Sequence, residues 1–283
     1  MAYYLNEINE RIKADPKGFI EESDELFRQK ISHAADMICD NLKRSPIVLL
    51  AGPSGSGKTT TSKKIEEELL RRGISTHAVS MDDYFLTVNP LTTPRTKTGE
   101  YDLESPKCMD MDLLGKHFQA LANGETVIVP KYEFSRQMRV IDPTRKLRLG
   151  RDEIAVFEGI HALNDDITGR YPEAFKLYLS ARSTVMDDGH PLFYGHWMRL
   201  LRRTTRDFNF RGTSAEKTLQ MWNNVRMGEK KNISPFKDRA DLQFDSSFAY
   251  EVSVLKKHVS KLYSAIPENT PGCEELIKVG PAL

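Results

Sequence analysis

The sequence predicts an α/β fold: a three-layer sandwich with a mostly parallel sheet, a helical lid and an amino-terminal helical leader. Three observations carry this expectation. Short β-branched apolar runs such as "PIVLL" and "IAVF" lack polar alternation, as strands buried on both faces do. These runs alternate with stretches of helical spacing, which implies parallel strands joined by crossovers and covered on both sides. A glycine- and serine-rich turn, "GPSGSG", separates the first such run from the helix behind it.

Taken in chain order, residues 20–44 place Ile20, Leu26, Phe27, Ile31, Ala34, Ala35, Ile38 and Leu42 at helical spacing and predict one amphipathic helix. "PIVLLAG" predicts the first buried strand. A helix follows over 58–72, stopped by Gly73. "STHAVSMDD" predicts a second strand ending in two carboxylates. Residues 86–108 contain three prolines, five threonines and no period, and so predict a long loop. A helix over 110–122 ends near Asn123-Gly124. "TVIVPKYEF" predicts an edge or hairpin strand, because Pro130 cannot donate to a central ladder. "DEIAVFEGI" and "AFKLYLSA" predict two further buried strands, 192–206 and 214–227 two helices, "DLQFDSS" a last strand and 249–264 a closing helix. The expected organisation is a helical leader (1–44), a main domain (45–265) and a carboxyl-terminal tail (266–283).

With 283 residues, 39% apolar and 29% charged, the chain is long enough for one large α/β domain and too apolar to be disordered. Forty-one Lys and Arg against 40 Asp and Glu leave a formal charge of +1, so no global field favours nucleic-acid or membrane partners. Cys39, Cys108 and Cys273 match no metal or redox spacing. With no signal-like amino terminus and no run of 18 apolar residues, a cytoplasmic protein is expected. A homo-oligomer is compatible with all of this.

Gly52, Pro53, Ser54, Gly55, Ser56, Gly57, Lys58 and Thr59 satisfy G-x-x-x-x-G-K-[ST] between a strand and a helix. Glycines let backbone N–H groups converge on an anion, and the helix amino terminus adds partial positive charge. Lys58 is then expected to reach the β- and γ-phosphates of a nucleotide, with the Thr59 hydroxyl on Mg²⁺ and Thr60 completing the cradle. The second strand ends in Asp82 and Asp83. Either could accept the proton of an attacking hydroxyl or hold the metal through water, and a strand-ending turn is the plain alternative. Glu158 closes another buried strand, where an acid helps hold Mg²⁺. Arg199, Arg202, Arg203 and Arg206 share a helix face and Arg211 precedes a turn at Gly212, which Ser214 follows as a helix cap; a hinged basic lid is expected. His190 and His196 with Asp187 and Asp188 could bind a metal but read better as loop residues, and Trp197 and Trp222 as packing residues.

Together "GPSGSGKTT", "SMDDYF", "YEF", "VFEGIHAL" and "RRTTRDFNFRG" resemble, in order and over residues 46–260, the uridine kinase and phosphoribulokinase family of P-loop kinases. "TSAEKTLQMWNNVRMGEKKNISPF" looks like a bacterial branch whose longer members carry a TGS-like domain. The resemblance implies a P-loop NTPase sandwich that phosphorylates a nucleoside 5′-hydroxyl, uridine or cytidine, using ATP and Mg²⁺. It assigns Asp82 as general base, and Lys58, Arg206 and Arg211 as stabilisers of the transferring phosphoryl group. Thr59 and Glu158 would serve the metal. Tyr84, Asp102, Tyr132, Gln137 and Arg203 would contact the acceptor, with Asp102 on the ribose hydroxyls and Tyr132 beside the base. Gln137 stands where uridine kinases usually have histidine, and Arg211-Gly212-Thr213 where Arg-Gly-Arg is common. The same motifs also fit transfer to pantothenate, a sugar or a sugar phosphate, or a nucleotide-binding regulator without significant turnover.

Overall fold

The computed structural model describes every residue except 1, 96–98, 100, 103–104, 143–144, 268 and 283. Five parallel strands form the central sheet: β1 (Ile47–Ala51), β2 (Ser75–Ser80), β3 (Glu153–Glu158), β4 (Phe175–Ser180) and β5 (Leu242–Asp245). Their order across the sheet is β5-β4-β1-β3-β2, so the phosphate-loop strand lies in the middle.

Each inner strand alternates between two buried faces. In β1, Ile47, Leu49 and Ala51 join one core while Val48 and Leu50 join the other. This two-sided burial is why the run reads as uniformly apolar. One face is covered by α2 (Pro16–Leu42) and α3 (Lys58–Arg71), through Ile31, Ala34, Ala35, Ile38, Ile65 and Leu69. The other is covered by α4 (Met111–Ala122) and the segments beside it, through Leu114, Phe118 and Leu121. A third core joins α1 (Leu5–Ala14) to α5 (Gly195–Arg211), α6 (Ala215–Asn232), α7 (Glu251–Tyr263) and α8 (Glu274–Val279). Trp197 and Trp222 are buried there, as packing residues should be.

Some elements differ from expectation. Helix α2 starts at Pro16, not residue 20, because the Asp15 side chain accepts from the Gly18 N–H and Pro16 occupies the first turn. "TVIVPKYEF" splits at Pro130 into Val127–Ile128 and Tyr132–Glu133, each paired antiparallel in its own two-stranded sheet away from the central one. Helix α5 starts at Gly195 rather than 192 and runs unbroken through "RDFNFR" to Arg211; the break falls at Gly212, in left-handed conformation (φ 61°). Residues 184–193, expected as helix and loop, form a hairpin whose outer partner is Ala2–Tyr4. Its Asp188-Gly189 turn has φ of 45° and 80°, the type I′ geometry that a D-G pair signals. No helix among the described residues is long and apolar enough to cross a membrane.

Candidate active site

Beyond the carboxyl ends of the strands lies a cleft of about 1610 Å³, where ligands of parallel α/β sheets are held. At its centre is the glycine turn after β1. A Cβ at Gly52 would lie 2.3 Å from the Leu179 carbonyl oxygen, and one at Gly55 (φ 75°) 2.4 Å from that of Arg199. Gly57 caps α3 in left-handed conformation (φ 82°). Glycine therefore serves close approach at Gly52 and Gly55 and turn geometry at Gly57. The first-turn N–H groups of α3 have no intrahelical acceptor and carry the helix's positive end.

Lys58 Nζ donates to the Gly52 carbonyl at 2.8 Å and to that of Pro53 at 3.4 Å. Burial pulls its ammonium below the ordinary lysine range, opposed by the nearby Glu158 and Asp82. Both carboxylates face the cleft with Lys58. Burial raises the Asp82 carboxyl above the usual aspartate range although the group is solvent-open through the cleft mouth; Lys58 opposes the shift and Asp83 adds to it. Glu158 is likewise raised by burial, against Lys58 and with Asp82.

The Asp82/Asp83 ambiguity has a structural resolution. They sit on a 3₁₀ turn, Met81–Tyr84, that sends neighbouring side chains in different directions. Asp83 turns inward, accepting from the Tyr132 N–H (3.2 Å) and pairing with Lys131 (3.0 Å). No group among the described residues hydrogen-bonds the Asp82 carboxylate, which faces the cleft. Thr59 and Thr60 are exposed on the first turn of α3 in the same cleft.

The arginine run divides by helical phase. Arg199, only 2% exposed, donates to the Ser54 carbonyl (3.1 Å) and to Glu229 (2.7 Å). Arg202 is held by Glu251 and donates to the Ser246 carbonyl (2.7 Å). Arg199 braces the phosphate loop from behind, whereas Arg202 lines the cleft beside Gly57 with its guanidinium held by Glu251 and Ser246. Arg203, Arg206 and Arg211 line the cleft, all gathered on the buried carboxylate of Asp207 (3.2, 2.7 and 3.6 Å). Arg203 also donates to Ser54 Oγ at 2.7 Å.

Four expected acceptor residues lie elsewhere. Tyr84 is fully buried, its hydroxyl 2.9 Å from His117 Nδ1, so it belongs to the core. Tyr132 is buried beneath Phe85 and Phe134, with centroids 5.7 and 5.1 Å away, and those two rings line the cleft. The Asp102 carboxylate sits outside the lining, 3.7 Å from Lys231. Gln137 is exposed on a hairpin turn with φ 50°, also outside the lining.

Sequence reasoning missed Phe85, Phe134, Asp207 and Glu229. The first two were present in the quoted motifs. Asp207 had the signal of a single acid inside a basic run. Glu229 had none. Among the described residues no group of three His, Cys, Asp or Glu could hold a metal, the Asp187–His196 region included. The oxygen set of Thr59 and Glu158 fits a hard cation that takes its other ligands from phosphate and water.

A family model described as Phosphoribulokinase / Uridine kinase family matches residues 47–253. A uridine kinase of Staphylococcus epidermidis is 29% identical over 214 residues, covering 75% of this chain and 93% of that protein. A uridine kinase of Saccharomyces cerevisiae is 29% identical over 238 residues, covering 83% of this chain and 43% of the yeast protein. Among solved structures, a protein assigned as a fructose transport system kinase from Silicibacter sp. TM1040 matches with a TM-score of 0.54 at 19% identity, over 76% of this chain and 98% of that one. That last likeness is one of fold.

Proposed function

This chain belongs to the phosphoribulokinase/uridine kinase family, and from that premise we propose that it transfers the terminal phosphoryl group of ATP to the 5′-hydroxyl of a pyrimidine nucleoside, uridine or cytidine. Kinase chemistry on a small molecule follows from the family; the acceptor is the proposal. The observation that carries it is the shared cleft of Lys58, Asp82 and Glu158, with Asp82 carrying no side-chain hydrogen bond among the described residues while its neighbour Asp83 does.

In this reading Asp82 accepts the hydroxyl proton as the acceptor oxygen attacks the γ-phosphorus and the bond to the β–γ bridging oxygen breaks, releasing ADP. A carboxylate raised by burial is a stronger base than a free one. Lys58 leaves the Gly52 carbonyl for a phosphate oxygen, and Arg206 and Arg211 face the spreading negative charge. Thr59 and Glu158 would hold Mg²⁺, which when bound neutralises charge on the β- and γ-phosphates. Phe85 and Phe134 offer apolar faces to the acceptor, and Arg203 lines the same cleft. Asp102 reaches a ribose only if Lys231 releases it. Residues 45–265 would carry the phosphoryl-transfer groups, with helix α2 of the leader lining the same cleft. We place the reaction in the cytoplasm, where ATP is supplied.

A non-nucleoside acceptor is favoured by one observation: Gln137 lies outside the cleft lining, so that turn presents no amide to a base edge. ADP release measured with uridine, cytidine, pantothenate, fructose and ribulose 5-phosphate separates the readings. Uridine or cytidine is expected to be preferred, and Asp82→Asn to lower kcat by about 10²–10⁴-fold. Turnover confined to the other acceptors removes the nucleoside reading. ATP binding without transfer to any acceptor makes the chain a regulator.

A further inference from the structure

The strand order gives the cleft a direction. Asp82 and Glu158 follow β2 and β3, both on one side of the phosphate loop after β1, while β4 and β5 lie on the other. A nucleotide whose terminal phosphate faces Lys58, Asp82 and Glu158 must therefore run its nucleoside end towards the loop that follows β5. At that end the cleft is walled by α2, a helix wholly amino-terminal to the 47–253 span that the family shares.

Phe27 of α2 lies against Phe248 of the β5 loop, ring centroids 4.7 Å apart and planes tilted by 31°, and both rings line the cleft. Phe27 is fixed from behind by an edge contact with Phe244 at 5.6 Å. The loop is fastened to α2 on both sides of Phe248: Lys30 Nζ donates to the Asp245 carbonyl at 3.2 Å, and the Tyr250 hydroxyl donates to Asp24 at 2.9 Å. Arg28, exposed and paired with Glu25 at 2.8 Å, lines the same end.

We propose that α2 is part of the donor-nucleotide site, with Phe27 and Phe248 forming the apolar wall for the purine of ATP and Arg28 covering its solvent side. The proposal rests on the ATP-dependent reading above. A half-buried aromatic pair, held rigidly and open to a polar cleft, suits a purine face: stacking on such rings is sequence-tolerant and independent of phosphate contacts. The leader thus takes a direct share in nucleotide affinity.

The test uses the full chain and two probes, ADP and inorganic tripolyphosphate, titrated by calorimetry. Phe27→Leu and Phe248→Leu are expected to weaken ADP about tenfold and leave tripolyphosphate within about twofold, because the latter has no base. The KM for ATP should rise by a similar factor. Arg28→Ala, at an exposed position, is expected to weaken ADP about threefold. ADP binding at wild-type strength in all three variants overturns the wall, as does equal weakening of both probes, which would mean a distorted phosphate loop. If wild type transfers phosphate while the variants bind ADP normally, only the wall falls. A wild type that binds neither probe overturns the kinase reading and the wall with it.

Discussion

Replacing Gly55 by alanine tests whether the phosphate loop is shaped by its contact with α5. The added methyl would sit 2.4 Å from the Arg199 carbonyl oxygen, about 1 Å inside ordinary contact, at a residue with φ 75°. The left-handed conformation alone costs roughly 1–2 kcal/mol for a residue with a Cβ. Relieving the overlap means moving the loop or the Arg199 carbonyl, and overpacking of that kind costs roughly 1–3 kcal/mol more. Arg199 cannot yield easily, because Glu229 and the Ser54 carbonyl anchor its side chain. At about 2 °C per kcal/mol for a chain of this length, Tm should fall by roughly 4–10 °C. The loop's displacement should lower kcat/KM for ATP by about 100-fold, since an error of about 1 Å at the reacting groups is enough for that. Gly212→Ala is the control: its φ is 61° but nothing lies within 4 Å, so only the conformational cost applies. Thermal melts and ATP kinetics on the two variants decide. A Gly55→Ala protein that melts with the Gly212→Ala control and keeps kcat/KM within about threefold of wild type would falsify the close-approach account.

Glu229→Gln removes the carboxylate shared by Arg199 and Arg226 (2.7 and 2.6 Å) and leaves a guanidinium buried without a counter-charge; urea unfolding should show a loss of about 3 kcal/mol, and a loss below about 1 kcal/mol would mean that water reaches the pair. Tyr84→Phe deletes the hydroxyl that meets His117, so stability should drop by about 1 kcal/mol while the acceptor KM stays unchanged; a KM raised about tenfold would return Tyr84 to the acceptor site. The pH profile of kcat/KM reports Asp82. Its base form is the ionised one and burial raises its pKa, so activity should be full at neutral pH and fall as pH drops through a midpoint above 3.8, the ordinary aspartate value. A midpoint at or below that value would mean that a different group takes the proton.

The sheet and the phosphate loop were legible because each has a local signal: an unbroken apolar run, a glycine spacing, an acid ending a strand. What stayed hidden depends on partners distant in the chain. Arg199 and Arg203 look alike in "RLLRRTT", yet one is buried by Glu229, 30 residues later, and the other faces the cleft. Tyr84 and Phe85 exchange roles because the strand's two-residue alternation ends at Ser80 and the 3₁₀ turn Met81–Tyr84 takes over. Helix α5 runs past its expected end because Phe208 and Phe210 are exposed and supply no apolar face to read. The Asp15-Pro16 start of α2 was present as a capping signal and went unused.

The division of the arginines also bears on how the site accepts a nucleotide. Arg199 and Arg202 are paired with Glu229 and Glu251 and donate to the carbonyls of residues 54 and 246, so they fix backbone. Arg203, Arg206 and Arg211 gather on Asp207 along the cleft wall. Opposite them, the raised carboxyls of Asp82 and Glu158 show that Lys58 alone does not repay their burial. On the proposed reading, a nucleotide with its cation would set its polyphosphate against the arginine wall and its cation against the carboxylates. Lys58 would then trade two neutral carbonyl acceptors for a charged phosphate oxygen, a stronger charge-assisted bond. Binding can therefore reorganise one side chain while the braced loop keeps its shape.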